Sequence, residues 1–166
     1  MKRREKGLTL VELMVTLAVA IVVLAIGIPA FNAMSARDIS AATVNSLVTA
    51  LQQTRTEAIS RGVGVSVQAE SSNWQNGWFT CCDAAGNRLR TFAAPRPQVA
   101  ITGVAGGTAI QFGSMGQRLL PDPAGTPLVT FALTAYSDSG KTKCVKVTNV
   151  RVTSVGQVRS ESGTCP

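Results

Sequence analysis

Histidine is absent from the 166 residues, and only 15% of them are charged. Without an imidazole there is no Ser/His/Asp or Cys/His arrangement, and the chain also lacks paired catalytic carboxylates and a phosphate-cradling P-loop. The usual machinery for acid-base, nucleophilic, metal and phosphate chemistry is therefore missing. The sequence predicts a non-enzyme with no metal, no cofactor and no small-molecule substrate. It also has no internal repeats, low-complexity tracts or interdomain linker. That leaves room for one anchored helix and one head of about 100 residues.

Charge is scarcest near the N-terminus. The 19 residues from Leu13 to Phe31 carry none, and a helix of that length covers roughly 28 Å, about the thickness of a bilayer's hydrocarbon core. Lys2, Arg3, Arg4 and Lys6 precede the run against Glu5 alone. The positive-inside bias then leaves the N-terminus cytoplasmic and exports the rest, a single pass of the inner membrane with a periplasmic head. Two plain readings compete: a secretory signal cut at Ala33-Met34-Ser35, and a simple anchor. The run exceeds the usual length of a signal's apolar region, and neither reading explains Glu12, a carboxylate in the first turns where lipid disfavours it.

Gly7-Leu8-Thr9-Leu10-Val11-Glu12 closely resembles the class III signal of type IV pilins and type II secretion pseudopilins. The resemblance implies that prepilin peptidase cuts after Gly7 and that the new amine on Leu8, where the family usually has Phe, is methylated. Glu12 and Pro29 then occupy the places of the family's assembly glutamate and helix-kinking proline. A buried carboxylate is tolerated when paired, and cleavage creates a positive amine that serves as its partner on a neighbouring subunit. Glu12 would thus register assembly with other major and minor pilins through the N-terminal helix. Gly27 and Pro29 should bend or loosen that helix near the membrane's outer edge.

Beyond Pro29, Ile39, Ala42, Leu47, Leu51, Ala58 and Ile59 recur at spacings of three and four, so the helix continues in amphipathic form to a stop at Gly62. After Gly62 the chain turns to short β-type runs between Gly, Pro, Asn and Ser. Val63, Val65 and Val67 alternate onto one face. Asn73–Phe79 and 83–90 read as strand, turn, strand. Ile110–Phe112 leads through Gly113–Gln117 into another strand, and PDPAGTP (121–127) precedes a buried strand, Leu128–Ala135. In Thr142–Thr153 the valines change phase between Val147 and Val150, which predicts a bulge or tight turn at Thr148-Asn149. Trp74 and Trp78 are expected to pack on the helix rather than form a binding platform.

The order of Leu51–Arg61, Trp74–Trp78, Ile110–Phe112 with Gly116, and Val152–Arg159 resembles the FimT and H-type pseudopilin family. That resemblance implies an α+β, pilin-like fold in which the long helix packs on an antiparallel β region of two sheets. The expected division is a leader at 1–7, a transmembrane and filament-core helix at 8–31, its amphipathic half at 32–61 and a β-rich head at 62–166. Members are scarce subunits that prime or cap a type IV pilus or, in the alternative, a type II secretion pseudopilus.

Four cysteines in an exported segment favour disulfides. Cys144 with Cys165 would staple the C-terminal tail to a strand, whereas adjacent Cys81 and Cys82 bridge only through a strained ring, so reduced thiols or cross-pairing stay open there. After removal of the leader, 12 basic and 8 acidic side chains remain, and Lys141, Lys143, Lys146, Arg151 and Arg159 crowd the C-terminal end against Glu161. A solvated strand face explains this as well as a polyanion site does. Some FimT-like pilins bind DNA through a Gly-Arg-x-Arg turn, which here reads Gly156-Gln157-Val158-Arg159. With one arginine replaced and no aromatic stacking set, the resemblance implies weak, non-specific binding of duplex DNA.

Overall fold

Thr9 opens the first helix by accepting a hydrogen bond from the backbone N–H of Glu12 on its hydroxyl, at 3.2 Å. In the computed structural model, which describes residues 9–82, 87–102, 107–120, 128–138 and 140–165, that helix (α1) runs for 52 residues, Leu10–Arg61. It stays helical through Gly27 and Pro29. Gly62 ends it in the left-handed conformation, φ 67°, where a side chain would be strained.

Nine strands follow among the described residues: β1 Val65–Ala69, β2 Trp78–Cys81, β3 Arg88–Phe92, β4 Val99–Thr102, β5 Ala109–Phe112, β6 Arg118–Leu120, β7 Leu128–Tyr136, β8 Cys144–Thr153 and β9 Val158–Gly163. They form a five-stranded sheet in the order β3-β2-β1-β5-β6 and a four-stranded sheet in the order β4-β7-β8-β9, with every pair antiparallel. Helix α1 packs against both sheets. The core comprises Val44, Leu47 and Leu51 of the helix, Val65, Val67, Ile110 and Phe112 of the first sheet, and Val129, Phe131, Val150 and Val152 of the second. Trp74 bridges the sheets, its ring edge-on to Phe131 at 4.9 Å.

Several local expectations change. The helix face that is buried consists of Ala36, Ser40, Thr43, Val44, Leu47, Ala50, Leu51, Thr54 and Ala58. Leu47, Leu51 and Ala58 lie on it as expected, while Ala42 and Ile59 are exposed and Ile39 is half-buried. Small residues win these positions because two sheets approach the helix closely. Val63 is exposed in the turn before β1.

The stretch expected as a strand around Trp74 is instead two short 3₁₀ turns, Glu70–Ser72 and Trp74–Asn76. Asn73 caps the second through its side chain, which accepts from the Gln75 N–H, an Asx-type preference that overrides the β propensity of Trp. Strand β4, in a Pro-flanked stretch that gave no strand signal, was not anticipated.

No bulge interrupts β8 at Thr148-Asn149, since these residues pair in register with Leu133 and Ala132. The irregularity falls at Ala135-Tyr136. The phase change of the valines has another cause: Val150 and Val152 face the core, while Val147 uses the opposite face against Gly163 of β9, where a Cβ would sit 2.8 Å from the valine. The Gly163 gap buries a valine without bending the strand.

Candidate assembly and binding surfaces

Among the described residues the N-terminal half of α1 has no packing partner. Every large apolar side chain from Leu10 to Phe31, and Met34 beyond, is exposed, and burial begins at Ala36. This is the segment long and apolar enough to cross a membrane. Glu12 is exposed on it and has no ion pair among the described residues. Pro29 is also exposed, near the upper end of the apolar run. Gly7 and Leu8, the expected cleavage point, lie outside the described residues.

The five C-terminal cations do not form one patch. Lys141 and Lys143 sit on the exposed turn between β7 and β8, Lys141 at φ 57°. Asp138 organises that turn: its carboxylate accepts from the Thr142 hydroxyl at 2.8 Å and from the N–H groups of Thr142 and Lys143. These bonds, led by the Thr142 hydroxyl, hold its pKa below the ordinary 3.8. Lys146 lies in a groove beside Ala41, Val44 and Asn45 of the helix.

Arg151 and Arg159 lie towards the other end, eight residues or about 26 Å of strand from Lys143. They are cross-strand neighbours. Arg151 is tied to Glu161 at 2.7 Å, which offsets part of the charge that a polyanion would meet.

Gly156 has a packing role that sequence reasoning missed. At φ 77° its Cα faces the carbonyl of Gly116, itself at φ 77°, so a Cβ there would strike that oxygen. Arg55 of α1 closes the junction, donating Nε to the Gly116 carbonyl at 2.9 Å and Nη2 to the Val155 carbonyl at 3.4 Å. The Arg118 N–H donates to the Ser154 carbonyl at 2.9 Å. One helix arginine and two glycine turns thus join the two sheets at this point. The only sequence hint was that both glycines sit in short turns between β runs.

Gln75 was likewise missed. Its side-chain amide donates to the Val99 carbonyl at 2.7 Å and accepts from the Ile101 N–H at 3.0 Å, covering the free edge of β4 as a strand would. Trp74 and Trp78 are buried, with Trp78 stacked on Phe92 at 6.2 Å, and so offer no platform.

Cys144 and Cys165 are joined, their Cα atoms 5.9 Å apart, which fixes the tail beside the start of β8. Cys81 and Cys82 pair with each other rather than with that couple. Among the described residues no group of three or more His, Cys, Asp or Glu side chains is placed to hold a metal.

This architecture has known counterparts. The chain is similar to the Pseudomonas aeruginosa (strain PAO1) type IV minor pilin FimU in two crystal forms. One gives 20% identity and a TM-score of 0.52 over 77% of this chain and 86% of that one. The other gives 21% and 0.51 over 77% and 90%. These likenesses show a shared fold. No curated protein matches the chain significantly. A model of the prokaryotic N-terminal methylation motif matches residues 2–28, around the anomalous glutamate and the apolar run. The model of type II transport protein GspH matches residues 43–151, from the buried half of the helix to the core strand β8. Matched over more than half its length by that model, and carrying the methylation motif ahead of it, the chain belongs to the GspH family of type IV pilin-like minor pilins and pseudopilins.

Proposed function

We propose that the protein is a non-enzymatic minor subunit of a type IV pilus, held in the inner membrane until assembly and helping to initiate or cap the filament. The observation that carries this reading is the bare apolar half of α1, which has one carboxylate, Glu12, and no intramolecular partner among the described residues. Such a segment is stable in lipid or in a filament core of like helices, and transfer between the two leaves its apolar surface out of water throughout. On this reading Gly7-Leu8 is the bond cut by prepilin peptidase, and the freed amine of one subunit neutralises Glu12 of another.

The specific test is mass spectrometry of the mature chain with counting of filament-incorporated protein. Gly7 replaced by a bulky residue should abolish cleavage after position 7. Glu12→Ala should leave cleavage intact and cut incorporation at least ten-fold, since the lost pairing is worth several kcal/mol in a low-dielectric core. A mature chain beginning at Ala36 would overturn the reading.

The second reading is the H-type subunit of a type II secretion pseudopilus, favoured by the description of the matching family model. The pilus is preferred for the basic, disulfide-stapled C-terminus and the fold shared with FimU. Loss of surface pili with secretion intact in a deletion strain supports the first, and the reverse supports the second. Duplex DNA binding gains no support from the cation layout: Lys141 and Lys143 stand apart from Arg151 and Arg159, and Arg151 is already paired.

A further inference from the structure

The surface cations segregate along the helix axis, and the position of the apolar segment says which way they face. Near the point where α1 leaves the head, Arg37 is exposed next to Ala36, the first buried residue of the helix. Arg96 lines a groove there with Asp38, Ile39 and Ala42. The turn carrying Lys141 and Lys143 lies at the same end, because Tyr136 donates its N–H to the Gln98 carbonyl and Ala135 pairs with Val99, three residues after Arg96. Lys146 follows beside Ala41 and Asn45 of the helix.

None of these five cations belongs to an ion pair among the described residues. The acids around them are Asp38, which is exposed, Asp138, whose carboxylate is engaged by its own turn, and Glu161, which is paired with Arg151. The excess at this end is positive. At the opposite end, Arg55 is bound to carbonyls, Arg61 is paired with Glu57 at 2.7 Å and Arg151 with Glu161, which leaves Arg159 exposed there without an ion pair among the described residues.

The spacing matches a bilayer. Phe31 is the last residue of the uncharged run and Arg37 stands six residues further on, about 9 Å of helix. With the run in the hydrocarbon core, Arg37 lies at the outer margin of the headgroups, Arg96 beside Asp38 and Ala42 stands up to about 8 Å of helix farther out, and Lys146 beside Ala41 and Asn45 about 6–12 Å farther out. Lipid phosphates act over roughly 8–10 Å at moderate salt, so Arg37 and Arg96 feel them most and Lys146 least.

We propose that Arg37, Arg96, Lys141, Lys143 and Lys146 form a basic collar that seats the head on anionic phospholipid headgroups while the subunit waits in the membrane. The inference rests on the reading of α1 as a membrane anchor and adds to it a partner, the phosphate-bearing lipid surface. The collar fixes the tilt and height of the head before assembly and is released when the helix moves into a filament. It also gives three of the five C-terminal cations a target that does not require Arg151 or Arg159.

The chain supplies its own reporters, since Lys141, Lys143 and Lys146 are its only lysines after Lys6. The full chain in nanodiscs of phosphatidylcholine, or of phosphatidylcholine with about 30% phosphatidylglycerol, is treated with a neutral amine-acylating reagent and mapped by mass spectrometry. Acylation of the three lysines should be several-fold slower in anionic discs, and the difference should vanish near 0.5 M salt, where the screening length is only about 4 Å. The Arg37→Gln, Arg96→Gln variant keeps all three reporters and should shift the seated-to-free ratio roughly 25-fold, at about five-fold per cation, restoring fast labelling.

Equal labelling in both lipids overturns the collar, as does persistent protection in the double variant. Protection by a DNA duplex in neutral discs, without protection by anionic lipid, overturns it in favour of a nucleic-acid surface. Co-elution of chain and disc reports the anchor separately: a chain that does not enter discs overturns the anchor reading and the collar with it, whereas an inserted chain with equal labelling overturns the collar alone.

Discussion

The two halves of α1 share one backbone and meet different solvents. From Leu10 to Phe31 every described residue is exposed, and most are large and apolar. From Ala36 to Arg61 one face is buried, and it is built largely from Ala, Ser, Thr, Val and Leu. The difference teaches that hydrophobicity and burial are separate properties of a helix. The more apolar half is uniform around its circumference, as suits lipid or a bundle of like helices. The less apolar half is patterned, with small residues where two sheets press close.

That contrast can be broken most severely by cutting a buried side chain in one half and an equivalent exposed one in the other. Leu51→Ala should destabilise the head by about 2–5 kcal/mol, as expected for a leucine with no exposed surface. Leu17→Ala should leave head unfolding unchanged within about 0.5 kcal/mol, and its cost should appear in membrane retention or filament incorporation. Chemical denaturation of the head followed by intrinsic Trp fluorescence reads the first, since Trp74 and Trp78 are both in the core.

Removing the staple tests how much the C-terminal tail after β9 relies on covalent closure onto the start of β8. Cys165→Ser should lower stability by roughly 3 kcal/mol from the released loop of 21 residues. It should leave the helix-to-sheet core intact, so Trp fluorescence of the folded state stays the same while the denaturation midpoint falls.

A smaller effect is expected at the junction between the sheets. Gly156→Ala adds a methyl group against the Gly116 carbonyl at a positive φ, costing about 1–3 kcal/mol. Gln157→Ala in the same turn keeps the glycine and should be near neutral, because Gln157 is exposed. Amide exchange at Arg118, whose N–H spans the junction, separates the two variants.

The weakest expected response is to pH and is confined to the β7–β8 turn. Asp138 has a pKa below its ordinary 3.8, so the turn gains stability from the ionised carboxylate at pH values above the unfolded value. That contribution begins to fade near pH 4 and is lost as pH falls through the depressed folded value. Exchange of the Thr142 and Lys143 amides should accelerate over that acidic window relative to the intrinsic rate, and Asp138→Asn should remove the pH dependence.

Much of the architecture was legible because it rests on one-dimensional signals. Absence of charge over Leu13–Phe31 defines a segment that water disfavours, and the period of Leu47, Leu51 and Ala58 defines a packed helix whatever it packs against. Gly62 ends the helix because its φ suits glycine. The strands at Ile110–Phe112 and Leu128–Ala135 follow from β-branched and aromatic runs bounded by turn residues.

Tertiary structure decided what those signals do not encode. Which small residues of α1 are buried depends on two sheets meeting it at once, so Ser40 and Thr54 are inside while Ala42 and Ile59 are not. Whether Val147 needs a bulge depended on a gap left by Gly163 on the neighbouring strand. The basic C-terminal stretch looked like one patch because its cations are close in sequence, but an extended strand separates residues by about 3.3 Å each and divides them between the ends of a sheet. Gly156, readable as a phosphate-contacting turn, is held against Gly116 and Arg55. Sequence alone determined which segments avoid water and where the chain must turn, since solvation and backbone sterics act locally. The fold decided which distant residues share a surface, because contact depends on how separate elements pack.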